Sequence, residues 1–327
     1  MWIIFTRNQM VVTIPLIGAD RFPINWLYLI TTFTMKNFKA VIYVLAGAIS
    51  YGLLATIVKY ANGLGIGTSA LTFWHFFIGF IFLLFLDLIW KKRRGEKKVA
   101  VSFKSKSRLV LWGTSLGLTT TLYYLSIQYV PVSVGIILLM QSIWISLIVE
   151  IVVHKKRPTI AKIIGVIIVL IGTVLATNIF DTEFNLSVKG LLLGLGAGAS
   201  YTLSLFASSS VALDVPSHIR SKYLVFGGLI LVVLFWNIHI VEQMSFVSLY
   251  WGIVIAIFGT ILPPLLFTKG IPQVGISLGN IFASLEIPVS ILSAVILLNE
   301  SVQTIQWGGI ILILFAIVII NKQEKPR

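Results

Sequence analysis

At 327 residues, 57% hydrophobic and 11% charged, with a mean hydropathy of +0.99, the chain holds more apolar surface than a soluble fold could bury; a soluble domain carries about 25% charged residues. Its net charge of +14 is spread in short basic runs between apolar segments, which argues against a nucleic-acid face. The absence of cysteine excludes disulfides, thiolate metal sites and cysteine nucleophiles, and His75, His154, His218 and His239 are scattered, so no metal and no cofactor is expected.

Residues 1–37 precede the first span. Arg7, Pro15, Asp20, Arg21 and Pro23 interrupt the apolar stretches of the first 34 residues, and no signal-peptide layout is present. Met35, followed by Lys36 and Lys39, reads as a cytosolic start. Two readings stand for this segment: an over-extended reading frame, or a disordered cytosolic tail. Mass spectrometry of the native protein separates them, because a mature N-terminus at Met1 rules out the first.

Ten apolar segments follow, at roughly 40–60, 69–90, 109–128, 132–153, 160–179, 188–211, 222–240, 248–268, 273–298 and 304–321. A span needs about 20 mostly apolar residues. The runs lack the ten-residue alternation of a barrel strand, and in lipid a helix satisfies its own backbone groups. The expected fold is an all-α membrane protein with ten transmembrane helices. With the start of the first span in the cytosol, 21 of the 25 Lys and Arg residues face that side. Both ends of the bundle are then cytoplasmic, and the cell membrane is the expected location. Asp87 and Glu150 are expected to pair with the basic runs Lys91–Arg94 and Lys155–Arg157, and Lys91–Arg108 to lie against anionic lipid.

The two halves echo each other. Val134-Gly135 and Val274-Gly275 follow Pro131 and Pro272 and open long apolar helices. Gly165–Leu170 matches Gly309–Leu314, and Ser50-Tyr51 matches Ser200-Tyr201. The expected units are 38–180 and 188–321, with 322–327 as a cytosolic tail. Five spans per copy is an odd number, so the second copy enters the membrane inverted, a recurring plan of transporters that alternate access. Gly113-xxx-Gly117, Gly190-xxx-Gly194-xxx-Gly198 and Gly275-xxx-Gly279 suggest close helix approach.

Four runs carry a family resemblance: Gly259-Thr260-Ile261-Leu262-Pro263, Lys269-Gly270-Ile271, Leu285-Glu286-Ile287-Pro288-Val289 and Leu297-Leu298-Asn299-Glu300. Together with Tyr51-Gly52 and Lys59 on the first span, they resemble EamA-type members of the drug/metabolite transporter superfamily over about residues 38–321. The resemblance implies ten helices, a cavity between the halves, and transport of small organic metabolites, usually outward. The chain departs from the family pattern at four places. Ile287 separates Glu286 from Pro288, Ile143 stands near the matching proline of the first copy, Lys156 replaces a glutamate, and His75 stands where many members have arginine.

Glu286 falls midway along the ninth span, where a bare carboxylate costs on the order of 3 kcal/mol or more. It must face a cavity, pair with a cation or hold a proton; the bland alternative is a structural acid bonded between helices. Pro288 lacks an N–H and marks a helix break that frees the carbonyl of Ser284. Lys59 either snorkels to the outer interface or meets a substrate or Glu286. His75 either lines the cavity or packs. Tyr51, Tyr123, Tyr124, Gln141, Trp144, Tyr201 and Asn280 are mid-span polar or aromatic candidates for lining the cavity, against the ordinary interfacial role of aromatics.

The expected function is secondary active transport of a small organic metabolite or drug-like solute, with export by alternating access and proton exchange as the working form. No nucleotide-binding GxxxxGK[ST] run occurs. A membrane-embedded enzyme would need a convergent nucleophile, base or metal set, and none is seen. A scaffold or channel is opposed only by the resemblance and by Glu286. The expected partners are a small solute, protons and membrane lipid. Oligomeric state is not readable.

Overall fold

The computed structural model describes residues 2–6, 9–13, 38–94, 101–130, 132–155, 157–177, 187–299 and 301–323. Lys156 and Glu300 lie outside them. So do residues 14–37 and 324–327, which hold most of the proposed leader and the end of the proposed tail. In the leader, β1 (Trp2–Thr6) and β2 (Gln9–Thr13) pair antiparallel, with Ile4 opposite Val11. Apart from this hairpin, the regular structure of the described residues is helical.

In chain order the helices are α1 (Phe38–Gly63), α2 (Thr68–Arg94), α3 (Phe103–Ser126), α4 (Val132–Met140), α5 (Ser142–His154), α6 (Ile160–Ala176), α7 (Val188–Ser210) and α8 (Ser217–Trp236). There follow α9 (Ile238–Glu242), α10 (Phe246–Ala256), a π-helical turn (Ile257–Ile261), α11 (Leu262–Val274), α12 (Ile276–Ala283), α13 (Glu286–Leu298) and α14 (Thr304–Gln323). Seven stretches are long and apolar enough to cross a membrane: α1, α2 to Trp90, Val134–Val153, α7, α8, Phe246–Val274 and Ile276–Leu298. The other three expected spans are helical but weaker. Ile160–Ala176 and Thr304–Ile320 are shorter apolar helices, covering about 25 Å each against a core of about 30 Å. α3 carries Lys104, Lys106 and Arg108 in its first two turns.

The distribution of side chains is that of a protein in lipid. Phe82, Phe85, Leu192, Leu234 and Ile296 lie on the outside. Ser50, Ser115, Thr121, Ser126, Ser142 and Ser200 lie inside. Interior hydroxyls bond helix carbonyls across the bundle. Ser50 Oγ donates to Phe258 O at 2.8 Å, and Ser200 Oγ donates to Ser115 O at 2.9 Å. These two serines are the matched pair of the sequence echo, and each joins the first helix of its half to the third of the other.

That exchange runs through the fold. α1 packs on α11 and α13, and α7 packs on α3 and α4. α3 lies parallel to α8, with Gly113 against Leu224 and Gly117 against Gly228. α2 lies parallel to the α10 region, with Trp74 against Gly252 and His75 against Gly259. The corresponding helices of the two halves are opposed in direction. α2 meets α8 antiparallel, with Phe76 by Gly228 and Asp87 by Lys222. α6 meets α14 antiparallel, with Gly165 by Ile320 and Ala176 by Gly309.

Two of the three glycine stripes are helix contacts. A Cβ on Gly113 would fall 2.2 Å from Leu224 O, and one on Gly198 2.6 Å from Leu138 O. The third stripe is not. Gly275 has φ +89° and turns the chain between α11 and α12, while Gly279 faces Ile271. α11 also runs through Pro272 to Val274, so Lys269 sits on a helix rather than in a loop.

Candidate functional site

The two copies of the fourth span are each broken in the middle. In the second copy α12 ends at Ala283 and α13 begins at Glu286. Pro288 follows within the first turn of α13, where a missing N–H is tolerated. The Ser284 carbonyl is not left open as expected, because the Ile287 N–H donates to it at 3.1 Å in a tightened turn. The first copy is interrupted at Gln141 without a proline. There Gln141 Nε2 donates to Ile137 O at 3.0 Å, Trp144 Nε1 donates to Gln141 Oε1 at 2.8 Å, and Thr202 Oγ1 donates to Ser142 O at 3.2 Å. Asn280, fully buried, connects the two broken helices: its Nδ2 donates to Ser146 Oγ at 2.7 Å, and Ser142 Oγ approaches its Oδ1 at 3.5 Å.

Glu286 opens α13 at the level of Gly52 on α1; a Cβ on Gly52 would lie 2.7 Å from Glu286 O. The carboxyl is within electrostatic reach of the phenols of Tyr201, Tyr51 and Tyr123, from α7, α1 and α3. The Tyr201 hydroxyl is buried and aimed at this carboxyl without closing into a full hydrogen bond. Glu286 keeps partial exposure although it sits mid-span. Beside it, Tyr51, Tyr201, Ser204, Ser208, Pro264 and Phe267 are among the residues lining a narrow cavity of about 10 Å³, room for one water at most. Tyr51 meets Phe267 edge-on at 5.6 Å.

The structure thus gathers Tyr51, Tyr201 and Glu286, with Tyr123 beside them. Gln141 lies at the first break with Trp144 bonded to it, and Asn280 links the two broken helices. The remaining candidates lie apart. Tyr124 packs against the cluster of Val58, Ala61, Leu71 and Ile255. Lys59 is exposed seven residues beyond Gly52, about 10 Å along α1. His75 is 4% exposed and packed on the π-helical turn, where Thr260 Oγ1 donates to its carbonyl at 2.6 Å. That turn has a local cause. Pro263 and Pro264 supply no N–H, and the Leu262 N–H reaches back to Ile257 O.

The basic end of the bundle holds a cluster that sequence reasoning missed. Lys222 Nζ donates to Asp87 Oδ2 at 2.5 Å, and His218 Nε2 lies 3.8 Å from Asp87 Oδ1, its ring 4.6 Å from Trp90. Arg220 donates to Ala207 O, Ser208 O and Val211 O at the end of α7, and to Thr268 O on α11. Glu150 meets Lys162 at 2.7 Å. Among the described side chains Asp87 pairs with Lys222 and Glu150 with Lys162; the side chains of Lys91–Arg94 and of Lys156, in the basic runs expected to pair with them, lie outside the described ones. Asp87 lies four residues from Lys91, a spacing that reads as local pairing. Its partner 135 positions away gives no sequence signal.

The profile of the EamA-like transporter family matches residues 38–178 and again 188–322. No curated protein matches the chain. One solved structure, titled only "Crystal structure of protein", is 15% identical, with a TM-score of 0.71 over 87% of this chain and 98% of that one. At that identity it speaks to the fold alone. Two copies of one profile, over helices paired with their directions exchanged, cover most of this multi-pass membrane protein, and the chain belongs to the EamA-like transporter family.

Proposed function

We propose that the protein is a ten-span secondary active transporter that exports a small organic solute across the cell membrane by alternating access, exchanging it for protons, with both ends of the bundle in the cytosol. One observation carries the reading. Glu286 sits midway along a broken span, and the phenols within its electrostatic reach come from both halves of the molecule. A rocking motion of one half against the other changes which side this carboxyl faces. A bare carboxylate is costly at that depth, so it crosses carrying a proton or a solute. The Asp87–Lys222 pair ties the halves together at the basic end, Arg220 ties α8 to α7 and α11 within the second half, and the narrow cavity beside Tyr51 and Tyr201 supports a state closed on that side.

The test is solute flux in proteoliposomes across a substrate panel, with and without a pH gradient, for wild type and Glu286→Gln. Gradient-driven flux is expected in wild type and is expected to fall at least about tenfold in the variant, about 1.4 kcal/mol on the transport barrier. Equal gradient-driven flux in both proteins removes Glu286 from coupling. Chemical conversion of the solute without translocation removes the transporter reading.

A further inference from the structure

The basic end of the bundle holds a titratable group outside the central site. His218 and Lys222 stand one turn apart on α8 and present one face to α2, the corresponding helix of the other half. There they share a carboxylate. Lys222 Nζ donates to Asp87 Oδ2, and His218 Nε2 lies 3.8 Å from Asp87 Oδ1, too long for a hydrogen bond and within the range of an ion pair. The Trp90 ring, three residues beyond Asp87 on α2, stands 4.6 Å from the His218 ring. An imidazolium gains from the carboxylate and from the indole π system; a neutral imidazole gains from neither charge effect. The Asp87 side chain is 1% exposed and that of His218 16%, so the imidazole is the more open of the two to solvent.

The other charged groups of this end are engaged elsewhere or add positive charge. On α8, Arg220 bonds carbonyls of the α7 end and of α11, and the Lys222 ammonium also lies 4.6 Å from the Tyr223 ring. Asp214, in the turn before α8, acts electrostatically on Arg220. α11 presents Thr268 to α8, and Lys269 after it lies over the Tyr43 ring. α3 brings Lys104, Lys106 and Arg108, and the last turn of α7 has no titratable side chain. Lys91–Arg94 follow Trp90 on α2, their side chains outside the described ones.

We infer that His218, with Asp87 and Lys222, is a second proton site, a latch between the halves that closes the basic side when that side is acid. The sign follows from the geometry. A charge on His218 is stabilised by Asp87 and Trp90 only while α2 and α8 are together, so protonation shifts the population toward the closed state, and the effect is lost as the pH rises and the imidazole becomes neutral. The inference rests on the transport reading for its biological sense. An exporter that imports protons would be slowed by the cytosolic acid it produces.

The experiment uses the full-length protein with Ser208→Cys as reporter, in inverted vesicles held at one pH on both sides. Labelling by a membrane-impermeant maleimide is compared with and without His218→Gln at each pH, so the thiol's own titration cancels. At about pH 8 the two rates are expected to agree, and at about pH 5.5 the protein that keeps His218 is expected to react about three- to fivefold more slowly. His218→Arg is expected to react slowly at both pH values, and Asp87→Asn to abolish the difference between His218 and Gln. Equal rates with His218 and Gln at both pH values, or a difference that survives Asp87→Asn, overturns the proposal. Should His218→Gln not fold, His218→Arg decides: it must be slower than the His218 protein at about pH 8 and equal to it at about pH 5.5, and any other pattern overturns the latch. Solute flux in proteoliposomes without this pH-dependent labelling would remove the latch and leave the transporter. The labelling pattern without flux of any solute would do the reverse.

Discussion

Arg220 and Asn280 carry polar contacts that smaller or differently shaped groups cannot replace. The Arg220 guanidinium reaches four backbone carbonyls, three of them at the C-terminal end of α7, where a cation also complements the helix dipole. A lysine keeps the charge and loses the planar fork. Arg220→Lys is expected to cost about 1.5–3 kcal/mol, read as a lowered melting temperature of the purified protein; an unchanged melting temperature would mean that the fork contributes little. Asn280→Leu removes the donor to Ser146 in a fully buried setting. Leaving that hydroxyl without its donor is expected to cost about 1–3 kcal/mol on the same measurement, and equal stability would indicate that Ser146 finds another partner.

The helices show how local chemistry and packing divide the work. The seam of α3 and α8 needs small residues because backbones meet there. A Cβ at position 113 would clash with Leu224 O, which cannot rotate away as a side chain could. Gly113→Val is expected to destabilise the protein by about 1–3 kcal/mol or more, seen in thermal melts, whereas Gly308→Ala, where a Cβ meets nothing within 4 Å, is expected to leave the melt unchanged. The broken fourth helices behave differently from each other. In the second copy Pro288 announces the break in the sequence. In the first, the interruption at Gln141 is held by the Gln141–Trp144 contact and by Thr202 from α7, and no proline marks it.

Across the whole molecule, the Asp87–Lys222 pair joins the second helices of the two halves, and both residues are buried. Removing one partner of a buried pair typically costs about 3–5 kcal/mol, enough to shift a two-state equilibrium by more than a hundredfold. Because the chain has no cysteine, a single reporter can be placed at Ser208, which lines the narrow cavity. In inverted vesicles, Ser208→Cys is expected to react with a membrane-impermeant maleimide several-fold faster when Asp87→Asn is also present. An equal rate would separate the ion pair from closure of that side.

What the sequence by itself determined is what lipid demands of each residue in turn. Length, apolarity and the placement of Lys and Arg are local properties, so the all-helical membrane class was legible from the apolar runs, the two related halves from echoes such as Ser-Tyr, and the mid-span position of Glu286 from Leu285–Val289. The bilayer acts as solvent on every segment separately, which makes these features additive along the chain. Only the tertiary structure decided the partners. Ser50 with Phe258, Asp87 with Lys222, Asn280 with Ser146 and the phenols of Tyr51, Tyr123 and Tyr201 with Glu286 join residues far apart in the chain. Such pairs depend on which helix faces which, a choice made by backbone approach at glycines and by matched hydroxyls, and no spacing along the chain records it.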